Sequence, residues 1–329
     1  MPSSQKPFKT LRQQLTILRN RNLLIPSGPK VMRVLEKEGY YNVINGYKDI
    51  FLDNSATAAV GDDRYKSGTT FDHIYALYDF DRNLRWILIK YILKMETSIK
   101  TKIAYIFSEA YRLNFSYLDI NNFDSTIPQK TTKLIATISN VIKNNSERMR
   151  GGQIYHYLDK YKELPLWVLI KKMTLGETYH FFDVLQTPMK IEVTKACIKE
   201  YKHEYSIPVR SSVQDVTDIL SNVFRFINHF RNICAHEERL FNTVAKARSN
   251  RIPHIIHFHK NQLHPFKSRS FDCILILGFF LLKKDYRRFI RQLSDEIDNL
   301  QNHLPPSLFN EVLIQMGFPR DWRSKIELP

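Results

Sequence analysis

The chain has 329 residues, 43% of them hydrophobic, and a formal net charge of +16 from 49 Lys and Arg against 33 Asp and Glu. That apolar content excludes a disordered tail, and only ten glycines argue against a turn-rich β fold. A positive surplus of this size points to a polyanionic partner or an acidic membrane surface, the alternative being a surplus that serves solubility alone.

The opening, MPSSQKPFKTLRQQL, is basic and lacks the apolar core of a signal peptide. Thr10 is a candidate cap for a first helix, LRQQLTILRNR, with Leu11, Leu15 and Leu18 on one face. After the turn Pro26-Ser27-Gly28-Pro29, a second helix runs through VMRVLEKEG and stops at Gly39. The aromatic stretch YYNVINGYKDIFL has no clear period. Its Tyr40, Tyr41 and Tyr47 could stack on bases, but core packing is the better expectation. The polar segment 53–70 reads as a loop.

From Phe71 the pattern strengthens. Leu84, Leu88, Tyr91, Met95, Ile99 and Ile103 recur at helical spacing and predict a long helix to about Arg112. Within it, Glu96 could touch a neighbouring helix or pair with Lys100 on the surface. A connection containing Pro128 leads to a helix over 131–144, and NNSERMRGG reads as an exposed loop. After Pro165, LWVLIKKMTLGETYHFFDVL is helical with a break expected at Gly176, and another helix covers 189–204.

The most informative helix spans about Ser212 to Ala235. Stepping about 100° per residue, Arg225, His229, Asn232, His236 and Arg239 fall within about 40° of one line. Val216, Leu220, Val223, Ile227, Phe230 and Cys234 occupy the opposite side. A solvated face ordinarily carries Lys and Glu pairs. This one carries imidazoles, guanidiniums and an amide. An imidazole can take and give a proton near neutrality, a guanidinium forks onto a phosphate, and an amide can orient either. Those groups suffice to cleave RNA without a metal, because the ribose 2′-OH supplies the nucleophile. The expected roles are His236 as general acid or base, Arg231 on the scissile phosphate and Asn232 as orienter.

Arg231 stands about 140° from His236 on an ideal helix. Three resolutions stay open: the long arginine stem reaches inward, the helix ends or distorts near Ala235, or the phosphate sits between two such helices from two chains. The bland alternative is a polar stripe that merely faces solvent.

Residues 241–292 carry eleven Lys and Arg against Asp272 and Asp285, and 5–37 carry eight against Glu36. The first segment is expected to position RNA through phosphate contacts, alongside Arg225, His229 and Arg239. Lys246, Arg248, Arg251, Lys260, Lys267 and Arg269 are its candidate contacts. His254, His257, His259 and His264 are too irregularly spaced for a metal site, so neither metal nor cofactor is expected. Helices resume over 271–303. Their apolar run near Ile274 to Leu282 is about half the length that spans a bilayer and reads as buried. Pro305 and Pro306 close the segment, and SLFNEVLIQMGFPRDW offers one more short helix. Three scattered cysteines, Cys197, Cys234 and Cys273, fit a reducing, cytoplasmic setting.

An arginine, a polar residue and a histidine four to six positions beyond the arginine is also the signature of HEPN ribonucleases, here Arg231-Asn232-Ile233-Cys234-Ala235-His236. Six stretches in order make the resemblance specific: KPFKTLRQQLTILRNRNLLI, GYYNVINGYKDIF, GTTFDHIYALYDFDRNLRWILIKYILKMETSIKTKIA, LPLWVLIKKMTLGETYHFF, FRNICAHEERLFN and MGFPRDW. Together the chain resembles the Abi-like abortive-infection proteins of bacteria, the AbiD/AbiF group. Neither the arginine nor the histidine departs from the pattern.

The resemblance implies an all-α, HEPN-type helical bundle with additional N-terminal and C-terminal helices. The expected organisation is an N-terminal helical region 1–70, a HEPN-like domain 71–303 with a basic insertion 242–270, and a tail 304–329. It further implies a metal-independent endoribonuclease that leaves 2′,3′-cyclic phosphate ends and serves antiphage defence or acts as a toxin. A small regulatory non-coding RNA is an expected restraint, and a homodimer the expected way to bring two motifs together. The alternatives are a non-catalytic RNA-binding protein, in which the same residues only grip phosphate, and a module that binds a protein partner.

Overall fold

The computed structural model describes residues 7–147, 151–207, 209, 211–246 and 265–327. Those residues are all-α: they contain no β-strand, only isolated bridges between Leu24 and Thr70 and between Leu52 and Tyr65. Helix α1 (Leu11–Asn20) starts at Thr10, which closes a reciprocal capping box with Gln13. Helix α2 (Gly28–Glu38) is capped by Ser27 and stopped by Gly39, whose φ of 83° only glycine adopts freely. The segment 53–70 is not wholly loop. It contains α3 (Asn54–Val60), capped by Asp53. This helix buries no residue, so it leaves no apolar period to read.

The long helix α4 (Phe71–Ala110) is the axis of the molecule, with Leu84, Leu88, Tyr91, Met95, Ile99 and Ile103 all buried. Helices α5 (Pro128–Glu147), α6 (Gln153–His156) and α7 (Leu166–Leu169) follow. The expected break at Gly176 falls earlier. A 3-10 turn over Ile170–Lys172 ends α7, and Thr174 caps α8 (Leu175–Val184) with Glu177 completing the box. Gly176 lies inside α8, where a Cβ would meet the Asn228 amide at ordinary van der Waals distance.

Helix α9 (Thr187–Tyr205) leads to α10 (Val213–Ala235), whose start at the Ser212–Asp215 capping box matches the sequence reading. Helix α11 (Ser270–Phe280) is buried along its whole length. It does not continue into α12 (Lys283–His303), although no proline or glycine intervenes. Tertiary bonds take up the backbone at the corner: Tyr205 Oη donates to the Leu281 carbonyl at 2.7 Å, and the Lys283 N–H donates to Glu204 at 2.9 Å. Helices α13 (Pro306–Gln315) and α14 (Trp322–Ile326) close the fold.

Helix α4 packs against α12, α10, α9 and α11, and α13 packs back on the 3-10 turn Lys48–Phe51. Each fully buried Leu or Phe of that core contributes about 1.5–3 kcal/mol of transfer free energy. No helix among the described residues is long and apolar enough to cross a membrane.

Candidate active site at the end of helix α10

The apolar side of α10, from Val216 through Cys234, is buried as its spacing predicts. Burial pushes the Cys234 thiol up to about 12. It therefore stays protonated at neutral pH and is no nucleophile. His229, Asn232 and His236 are exposed on the other side. The His229 ring stands edge-on to Phe230 at 5.7 Å, and partial desolvation holds it below the ordinary imidazole value against the pull of Glu238.

The helix does end at Ala235. His236 is the capping residue, with its N–H on the Asn232 carbonyl at 2.9 Å. Glu237 adopts φ 56°, and the Glu238 N–H reaches back to the Ile233 carbonyl at 3.0 Å. This is a Schellman closure with a glutamate in the left-handed position where glycine is usual. The regular helical wheel thus stops one residue before the imidazole.

The chain leaving the helix is pinned at once. Asp81 on α4, fully buried, accepts the N–H groups of Leu240 at 3.0 Å and Phe241 at 2.7 Å. The same carboxylate accepts Tyr47 Oη at 2.6 Å and Arg85 Nη1 at 2.5 Å. The Tyr47 ring stacks on Phe241 with centroids 5.8 Å apart, so Tyr47 belongs to the core. Tyr40 is partly buried, while Tyr41 is exposed. A buried charge is tolerated only when it is fully paired in this way.

The three arginines around this corner differ in their partners. Arg225 lies 3.6 Å from Asp183 and over the Tyr179 ring. Arg239 donates to the Gly46 carbonyl at 2.6 Å and to Asp49 at 3.3 Å. Arg231 has no carboxylate within ion-pair distance among the described residues. Among the described residues its Nη1 reaches only Asn232 Oδ1, at 3.4 Å, and its buried Nε has no acceptor. The structure thus brings an unpaired guanidinium and an amide together at the helix end that carries the exposed imidazole.

In the basic segment, Lys246 and Lys267 are exposed. Arg269 is engaged: its guanidinium donates to the Gln315 carbonyl, and its side chain packs on Gly317. Arg248, Arg251 and Lys260 lie outside the described residues, as do His254, His257, His259 and His264. Among the described residues, no group of three or more His, Cys, Asp or Glu is placed to hold a metal ion. The Asp81 cluster has no signal in the sequence, since an Asp–Arg pair four apart on a helix ordinarily faces solvent.

Residues 33–242 match the family model described as Abi-like protein. That span is more than half of the chain and takes in Tyr47, Asp81, Arg231 and His236. No curated protein and no solved structure matches.

Proposed function

The chain belongs to the Abi-like protein family, and from that membership and the geometry around Arg231 we propose that it is a metal-independent endoribonuclease of the HEPN type, of the AbiD/AbiF group, acting as an antiphage abortive-infection effector or toxin. The observation that carries this reading is Arg231, with no carboxylate among the described residues, bonded to Asn232 at the helix end that carries the exposed His236. Arg225 and Arg239 are already engaged by Asp183 and by the Gly46 carbonyl, whereas Arg231 meets only the Asn232 amide among the described residues. A guanidinium with donors to spare suits a phosphate.

In the proposed reaction the 2′ oxygen of a ribose attacks the adjacent phosphorus. The bond from phosphorus to the 5′ oxygen breaks. One proton leaves the 2′-OH and another reaches the departing 5′ oxygen. Arg231 balances charge on the phosphorane, and His236 carries one of the two protons. A second copy's motif supplies the other, which is the chemical reason to expect a homodimer. Lys246 and Lys267 extend the cationic path beyond the helix end. A toxin of this kind needs restraint, and a small non-coding RNA held on the same basic surface would provide it.

RNA incubated with the protein in EDTA should yield fragments ending in 2′,3′-cyclic phosphate and 5′-hydroxyl. Cleavage that appears only with added divalent metal, or leaves 3′-hydroxyl ends, contradicts the reading.

A further inference from the structure

On another face of α4 lies a cavity of about 750 Å³ that shares no residue with the helix α10 site. Its size is that of a small-molecule pocket. Its lining is mostly apolar, from Leu93, Ala104, Tyr105, Trp167 and Ile170. At its base sit Glu96 and Lys100, paired at 2.5 Å and both about nine-tenths buried. Lys100 also donates to the Met173 carbonyl. That leaves the second oxygen of Glu96 buried with no hydrogen-bond partner among the described residues. An orphaned acceptor of this kind is destabilising unless a donor reaches it.

The mouth has a different character. Trp167 is 54% exposed and Tyr105 67% exposed, so each keeps much of its ring free, unlike most aromatic residues of this chain. Lys171 completes the rim, is exposed and has no acidic partner among the described residues. The pocket therefore offers flat apolar surface, a buried acceptor beside a buried ammonium, and a cation at the rim.

We propose that this pocket binds a guanine nucleotide, either free or as an unpaired base of an RNA strand. The guanine edge presents two adjacent N–H donors followed by a carbonyl acceptor. With its side chain turned so that the second oxygen meets the cavity, Glu96 can accept from the donors, and the ammonium of Lys100 has one proton left for the carbonyl. The purine stacks on the exposed rings, and Lys171 meets the phosphate. Uracil is disfavoured, since its single N–H is flanked by two carbonyls that face the carboxylate. The Glu96–Lys100 pair carries no net charge, so the base itself need not be charged.

The proposal is tested by calorimetric titration of the full chain with GMP, AMP, CMP and UMP, and with short single-stranded RNAs containing or lacking one guanine. GMP should bind tightest and UMP weakest. Trp167→Ala and Tyr105→Ala, which remove exposed rings and leave the core intact, should each weaken binding roughly tenfold. Glu96→Gln should erase the preference for GMP. Binding of GMP alone identifies a free nucleotide as the ligand; binding only within RNA identifies an unpaired base. No binding by wild type, or binding unchanged in both ring variants, overturns the proposal. His236→Ala should bind GMP like wild type, so failure of the nuclease reading leaves this result standing.

Discussion

Arg225, Arg231 and Arg239 share one helix and its exit, and the sequence separates them only by the motif that sets Arg231 on the scissile phosphate and leaves Arg225 and Arg239 as RNA contacts. Their partners separate them. Arg239 ties the helix exit to Gly46 and Asp49, whereas Arg231 meets no carboxylate among the described residues. Arg231→Ala should therefore reduce the salt dependence of RNA binding by about the contribution of one phosphate contact, with little change in stability. Arg239→Ala should lower the thermal midpoint by a few degrees and leave that slope unchanged. Gel shifts at several salt concentrations, paired with thermal melts, read both; the reverse pattern would reassign the two residues. Asp81 makes a sharper case. Asp81→Asn leaves Arg85 buried without its counter-charge and should cost roughly 3–5 kcal/mol in denaturant titration. A loss under 1 kcal/mol would show that the cluster does not hold the helix exit.

Among the elements, α10 was the most legible. Its Ser212–Asp215 box marks the start, and its apolar side is continuous to Cys234. Its end was foreseen only as one of three options, because the left-handed residue is Glu237 and no glycine announces it. Helix α3 was invisible because nothing on it is buried, and the corner at Leu281 because its hydrogen bonds come from α9. The link between α2 and α4 allows a pH test. Burial raises the Glu38 carboxyl, but hydrogen bonds from Tyr78 and Arg82 outweigh it and hold the group below the ordinary carboxylate range. Its folded value is thus lower than its unfolded value. The stability it contributes is present above the ordinary carboxylate range and lost as pH falls through the folded value. Stability measured from neutral to acid pH should fall less steeply in Glu38→Gln than in wild type; identical slopes contradict the assignment.

For the whole molecule, the all-α class was readable from composition and period, while the way distant segments meet was not. Asp81 and Leu240 are separated by 159 positions yet share a hydrogen bond, and no local pattern encodes that meeting. The same packing places the Arg231–Asn232–His236 corner at the surface of a strongly basic chain. Charge alone predicts RNA binding whether or not the corner is catalytic, so binding cannot distinguish an enzyme from a phosphate grip. Cleavage at equal occupancy can. Labelled RNA held in EDTA with saturating protein should be cut by wild type in single-turnover conditions. His236→Ala, bound to the same extent and equally folded, should be slower by roughly 10²–10⁴-fold. Equal cleavage by the two proteins, or intact RNA in a fully bound wild-type complex, would contradict the account.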